Sequence, residues 1–172
     1  YWPSLGTIPR GLFSTTHDLC GYTEEGVRYI RGVCEAEGIR TTFFDFHPFR
    51  LKRGEAGPHD ICLHASDATA YEQIVAQKKE LEDRQGIRVR GWRRHGCTAA
   101  VHHPRIWRDM VRAGIEWSST HNVQTHPFMG SAYHVATSNR LPGYVMDLER
   151  GERLALLEIP CFDSGEDDRL SN

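Results

Sequence analysis

Phe13-Ser14-Thr15-Thr16-His17-Asp18-Leu19-Cys20-Gly21, followed one helix later by Thr41-Thr42-Phe43-Phe44, is the stretch on which the fold turns. Gly11 to Thr16 is apolar at its start and β-branched at its end, which reads as a strand. Asp18 then places a carboxylate just past that strand. Glu24 to Glu37 reads as a helix. Thr23 is a side-chain cap for its free N–H groups, and Glu24 and Glu25 suit its positive end. Val27, Ile30, Val33 and Cys34 recur at helical spacing, and Gly38 is a natural stop. Ile39 to Phe44 is aromatic and β-branched, a second strand. Strand, acidic turn, helix, strand predicts parallel pairing with the chemistry at the C-terminal strand ends.

The pattern continues downstream. His47 to Pro58 is a loop, and Asp60 to His64 a short buried strand. Thr69 to Gln85 is a helix with Tyr71, Ile74, Val75, Lys78 and Leu81 inward and Gly86 as its stop. Ile87 to Trp92 alternates apolar and basic residues as a strand. Pro104 to Ala113 is a helix with Ile106, Trp107, Met110 and Val111 as its apolar stripe. Ile115 to Ser118 is a strand. A long loop from His121 to Gly143 leads to two more strands, Tyr144 to Asp147 and Leu154 to Ile159. The last residues, Asp163 to Asn172, are polar and acidic.

The 172 residues suit one domain with a real core. The formal net charge is −2, from 21 basic and 23 acidic side chains, well mixed. That balance gives no reason to expect a nucleic-acid partner. No apolar run approaches the ~20 residues of a membrane span. Five cysteines, odd in number and without a CxxC, argue against a disulfide framework and a zinc ribbon. They read as reduced thiols, which favours a cytoplasmic location. No leader is visible before Tyr1-Trp2-Pro3, and export stays open.

Asp18 alone reads either as a turn aspartate or as a base or metal ligand at a strand end. His64 alone reads as an ordinary core histidine or as a ligand. In Gly91-Trp92-Arg93-Arg94-His95, strand alternation puts Arg93 and His95 on one face and Arg94 on the other. Arg88 and Arg90 read as solvent-facing charges.

Taken together and in order, Thr16-His17-Asp18, Pro58-His59-Asp60-Ile61-Cys62-Leu63-His64, Gly91 to His95 and Gly114-Ile115-Glu116-Trp117-Ser118-Ser119 resemble the polysaccharide deacetylase (NodB-homology) family. That resemblance spans Phe13 to about Leu157. It implies an α/β fold, a distorted (β/α) barrel of parallel strands with outer helices, as a single domain over residues 1–172. No late Leu-x-His strand of the family follows Pro160, so the domain reads as cut short at its C-terminal end, as using another histidine for the acid, or as lacking that step.

The resemblance also implies a site. Asp18 takes the place of the catalytic base and His64 that of a metal-ligating histidine. Arg93 matches the arginine that pairs with and orients the base, and His95 beside it stands as a further catalytic group. Cys20 stands where the family has a metal-binding acid, and Ala68 where it has a second ligand histidine. A thiolate binds Zn²⁺ well, although a thiol can also be inert filler. Asp67 is near enough to replace the missing histidine. His17, Trp92 and His103 are expected at the substrate. Trp117 stands where an aspartate is common. His102, His121 and His126 fall in loops and read as solvated.

The implied cofactor is a divalent metal, zinc first, with cobalt, iron or manganese as alternatives. The implied partner is a carbohydrate substrate, from which the enzyme, a hydrolase of C–N bonds other than peptide bonds, would remove an N- or O-acyl group such as acetyl. Departures at Cys20 and Ala68 leave a second reading, a catalytically impaired relative that binds a glycan or a protein. A third is a non-sugar amide hydrolase. Oligomeric state is not legible.

Overall fold

A computed structural model describes residues 15–46, 49–65, 70–95, 104–120 and 142–159. Among these residues, seven strands form one sheet: β1 (Thr15–Asp18), β2 (Thr41–Phe46), β3 (Asp60–Ala65), β4 (Gly91–Arg94), β5 (Trp117–Ser118), β6 (Gly143–Asp147) and β7 (Glu152–Glu158). The order is β1-β2-β3-β4-β5-β7-β6. All pairings are parallel except β6 with β7, a hairpin that turns the last edge antiparallel. Among the described residues, three α-helices follow β1, β3 and β4: α1 (Glu24–Ala36), α2 (Tyr71–Gln85) and α3 (Pro104–Arg112).

Local sequence explains most boundaries. Thr23 Oγ1 accepts a hydrogen bond from the Gly26 amide at 3.1 Å, which caps α1. Gly86 ends α2 in the left-handed conformation, at φ 68°. Strand four begins later than the alternation of Ile87 to Trp92 predicts. Arg88 and Arg90 lie outside it, exposed beside Glu116, and pairing with β3 begins at Trp92 opposite Leu63.

The core sits between the helices and one face of the sheet. Val27, Ile30 and Cys34 of α1 pack with Phe43 and Leu51. Ile74 and Leu81 of α2, with Ile106 and Met110 of α3, pack against Leu63, Trp92, Leu154 and Leu156. Side chains alternate along a strand, so Asp18, Phe44, Cys62, His64 and Arg93 project from the other face.

The expected α/β class and mostly parallel sheet are present, but the sheet does not close into a barrel among the described residues. Its edges are β1 and β6, and no pairing joins them among the described residues. The sheet is nevertheless strongly curled. Strands β1 and β4 are three spacings apart, about 14 Å in a flat sheet, farther than an arginine side chain reaches. Yet Arg93 Nη1 of β4 donates to Asp18 Oδ1 of β1 at 2.8 Å. The face opposite the three helices is therefore a trough, concave between β1 and β5.

Gly91 sets the floor of that trough. A Cβ there would overlap the Trp117 ring and come within 2.6 Å of Cys62 Sγ. Gly91→Ala should cost about 1–3 kcal/mol by overpacking, read as a lower urea midpoint at unchanged m-value. An unshifted midpoint would mean that the indole is not seated against this backbone.

The loop after β2 is held by Asp45, buried, which accepts from the amides of Arg50 at 2.8 Å and Leu51 at 3.2 Å. Burial pushes its carboxyl up to about 6 despite those bonds. Arg108 of α3 pairs with buried Asp147 at 2.7 Å and ties that helix to the β6–β7 hairpin. No helix among the described residues is long and apolar enough to cross a membrane.

Candidate active site at the strand tips

Asp18 is the last residue of β1, in register with Phe44 of β2. Strand alternation turns Thr16 and Asp18 into the trough and His17 away from it. On β3, His64 lies opposite Phe46 of β2 and Arg93 of β4, so imidazole and guanidinium rise from adjacent strands, and the curl of the sheet brings the acid of β1 to them. Their side chains are 18%, 1% and 4% exposed.

Arg93 is held on several sides. Its Nη1 donates to Asp18 Oδ1 at 2.8 Å and its Nη2 to Thr16 Oγ1 at 3.0 Å. Nε donates to the Ser119 carbonyl at 2.8 Å, and Nη2 also to Ser119 Oγ at 2.8 Å. The guanidinium carbon lies 4.1 Å above the Phe44 ring. A buried guanidinium satisfied in this way is a rigid donor fork, and it fixes one oxygen of Asp18. His64 Nδ1 approaches the same oxygen at 3.6 Å. Oδ2 takes part in neither contact.

His64 is a buried imidazole with no hydrogen-bond partner on either ring nitrogen. Burial lowers its pKa to about 4, against the pull of Asp18 and with help from His95 and Arg93. At neutral pH it is an uncharged ring with a lone pair to offer. A buried polar group without a partner is costly, which makes His64 the clearest sign of a ligand at this site. Cys20 Sγ and one ring nitrogen each of His64 and His95 all lie within 4.8 Å of one another. Thiolate and imidazole suit Zn²⁺ and similar borderline cations, whereas Mg²⁺ and Ca²⁺ want oxygen. The residues present therefore fit a zinc-like metal.

Cys62 is a different kind of cysteine. Burial pushes its thiol up to about 12, so it stays protonated and apolar in character.

The sequence-expected residues divide clearly. Asp18, Arg93, His64, Cys20 and His95 come together at one end of the trough. Trp92 does not join them. It is 1% exposed, in register with Leu63, inside the core on the opposite face. Nor does His17, whose ring packs near Tyr22 and Phe43 on the helix side. Burial lowers the His17 pKa, opposed by Asp18 and aided by Arg93 and His59. Asp67 and His103 lie outside the described residues, as do Ala68, His102, His121 and His126.

Three residues at the site carry no expectation from sequence as its parts. Thr16 and Ser119 hold Arg93. Phe46 packs against both imidazoles, 5.2 Å from the ring of His64 and 4.7 Å from that of His95. The signal for Thr16 and Phe46 is alternation alone, two residues before Asp18 and two after Phe44.

No family model matches this chain. No curated protein matches it either. Among solved structures, it is similar to the crystal structure of a "putative polysaccharide deacetylase" from Mycobacterium smegmatis, with a TM-score of 0.55 at 14% identity. The likeness covers 86% of this chain and 57% of that one, so this chain spans little more than half of that protein's length. At such identity the likeness is one of fold.

Proposed function

We propose that this chain is a metal-dependent hydrolase that removes N- or O-acyl groups, acetyl foremost, from a carbohydrate. The observation that supports it most is the meeting of Asp18, Arg93 and His64 from three strands, with Arg93 bound to a single oxygen of Asp18. The fold-level likeness to a protein named for deacetylation agrees with it. Its architecture is read as a distorted (β/α) barrel, open on one side among the described residues.

His64 and Cys20 would hold the metal, which in such a site supplies Lewis acidity toward an acyl oxygen and lowers the pKa of water. The remaining work belongs to the side chains. Asp18 accepts the proton of the attacking water at Oδ2, as general base. Arg93 keeps Oδ1 occupied and so aims the carboxylate, and Thr16 and Ser119 keep Arg93 in place. The leaving amine or alcohol needs a proton in return. The family resemblance points to a histidine for this, with His95 the sequence candidate.

A binding module is the second reading, favoured by Cys20 and Ala68 at positions where the family has ligands. One assay separates the two. Acetate release from N-acetylated oligosaccharides is followed with the protein as purified, after chelation, and after Zn²⁺ is restored. The expected result is release, loss and recovery. Absence of release in all three states, with metal bound, would remove the hydrolase and leave the binder.

A further inference from the structure

We propose that His95 is a protein ligand, the third member of a thiolate–bis-imidazole metal centre with Cys20 and His64, and that this donor set selects Zn²⁺ or Co²⁺ over Mg²⁺ and Mn²⁺. The inference rests on the metal-dependent part of the function proposed above, and it reassigns His95 from proton transfer to coordination.

Three observations carry it. The first is proximity: ligand atoms of Cys20, His64 and His95 lie within 4.8 Å of one another. Around tetrahedral zinc such atoms are about 3.3–3.7 Å apart, from bond lengths near 2.0–2.3 Å. A contraction of about 1.5 Å or less closes the set. The second is His64 itself, buried in the midst of this group with neither ring nitrogen in a hydrogen bond, Nδ1 lying 3.6 Å from Asp18 Oδ1. The third is Phe46, wedged against both imidazoles, with the two rings 5.3 Å apart. Packing of this kind limits ring rotation and holds lone pairs in place for a ligand.

The three residues also differ in exposure in a useful way. His64 is sealed, Cys20 is half-buried and His95 is exposed. The centre therefore has a closed floor and a solvent side. Three protein ligands with an open fourth position is the arrangement of catalytic zinc. Asp18 is not needed as a ligand, because Arg93 already claims its Oδ1. Metal preference follows from the thiolate. Sulfur favours Zn²⁺ and Co²⁺ strongly over the hard, oxygen-seeking Mg²⁺, and Mn²⁺ lies at the weak end of the divalent series.

The test uses the full chain, stripped with chelator and titrated with Co²⁺. One equivalent should produce a thiolate-to-cobalt charge-transfer band in the near ultraviolet and intense visible bands of tetrahedral Co²⁺. Zn²⁺ should abolish both spectra, and excess Mg²⁺ should not. Cys20→Ser should remove the charge-transfer band. His95→Ala, at an exposed position, should keep the circular dichroism of the parent and weaken Co²⁺ binding by more than about 100-fold, beyond what loss of an outer-shell partner costs. His17→Ala, outside the cluster, should bind Co²⁺ as the parent does.

Unchanged affinity in a folded His95→Ala protein would overturn the assignment of His95. Absence of the charge-transfer band in the parent would overturn the thiolate centre. Acyl release separates this inference from the reading it rests on. Release without the sulfur band would sink the centre and leave the hydrolase. The sulfur band without release would do the reverse.

Discussion

Asp18→Asn is expected to slow acyl release by about 10²–10⁴-fold, the range for loss of a general base, with KM little changed. Asparagine has nearly the same shape and keeps an oxygen for Arg93 Nη1, which now donates to Oδ1 at 2.8 Å. What it loses is the ability to take a proton from water. Binding should therefore survive and kcat should fall, the pattern of an interaction made in the transition state. Metal affinity measured with Co²⁺ should remain, since Asp18 is outside the ligand set. Equal acetate release by parent and variant would remove Asp18 as the base.

Arg93→Ala should be the most damaging single change to the fold among the site residues. The guanidinium donates to Asp18, Thr16 and both oxygens of Ser119, and stacks over Phe44. Its removal leaves a mostly buried carboxylate and a buried hydroxyl and carbonyl without their donor. Breaking a buried pair from one side costs about 3–5 kcal/mol, which for a chain of this length lowers Tm by roughly 6–20 °C. Acyl release should fall as well, because Asp18 is no longer aimed. Arg93→Lys keeps the charge but not the planar fork. It should recover part of the stability and little of the rate. A melting temperature within a degree or two of the parent in Arg93→Ala would mean that this guanidinium does not brace the trough.

Much of this site was legible because its residues sit in short, ordered segments. Asp18, His64 and Arg93 each lie at or one residue before the C-terminal end of a parallel strand, the end where such folds gather their chemistry; the curl that brings β1 within reach of β4 is not written in those segments. The cap at Thr23 and the stop at Gly86 were legible because each is a local conformational need. The fourth strand reads too early because the alternation of Arg88 and Arg90 with apolar residues mimics a strand, whereas pairing with β3 begins only at Trp92. Trp92 reads as a sugar platform only if its neighbour is ignored. The alternation that puts Arg93 and His95 on one face puts Trp92 on the other, in the core.

Closure of the barrel was not legible at all. It depends on whether the final strands continue in parallel or fold back, and the β6–β7 hairpin folds back. The nearness of His95 to Cys20 was equally hidden, since it arises from curl of the sheet rather than from spacing in the chain. Reading Asp67 as the substitute ligand follows from closeness in sequence alone.

The arginine that spans the trough ties two properties that could otherwise vary separately. It reaches β1 through Asp18 and Thr16 and the end of β5 through Ser119. Its length therefore gauges the width of the cleft, while its fork sets the bearing of the carboxylate. A bulkier ligand cannot be admitted by spreading these walls without also swinging the acid off line. Broader specificity would have to come from the rim, not from the gap.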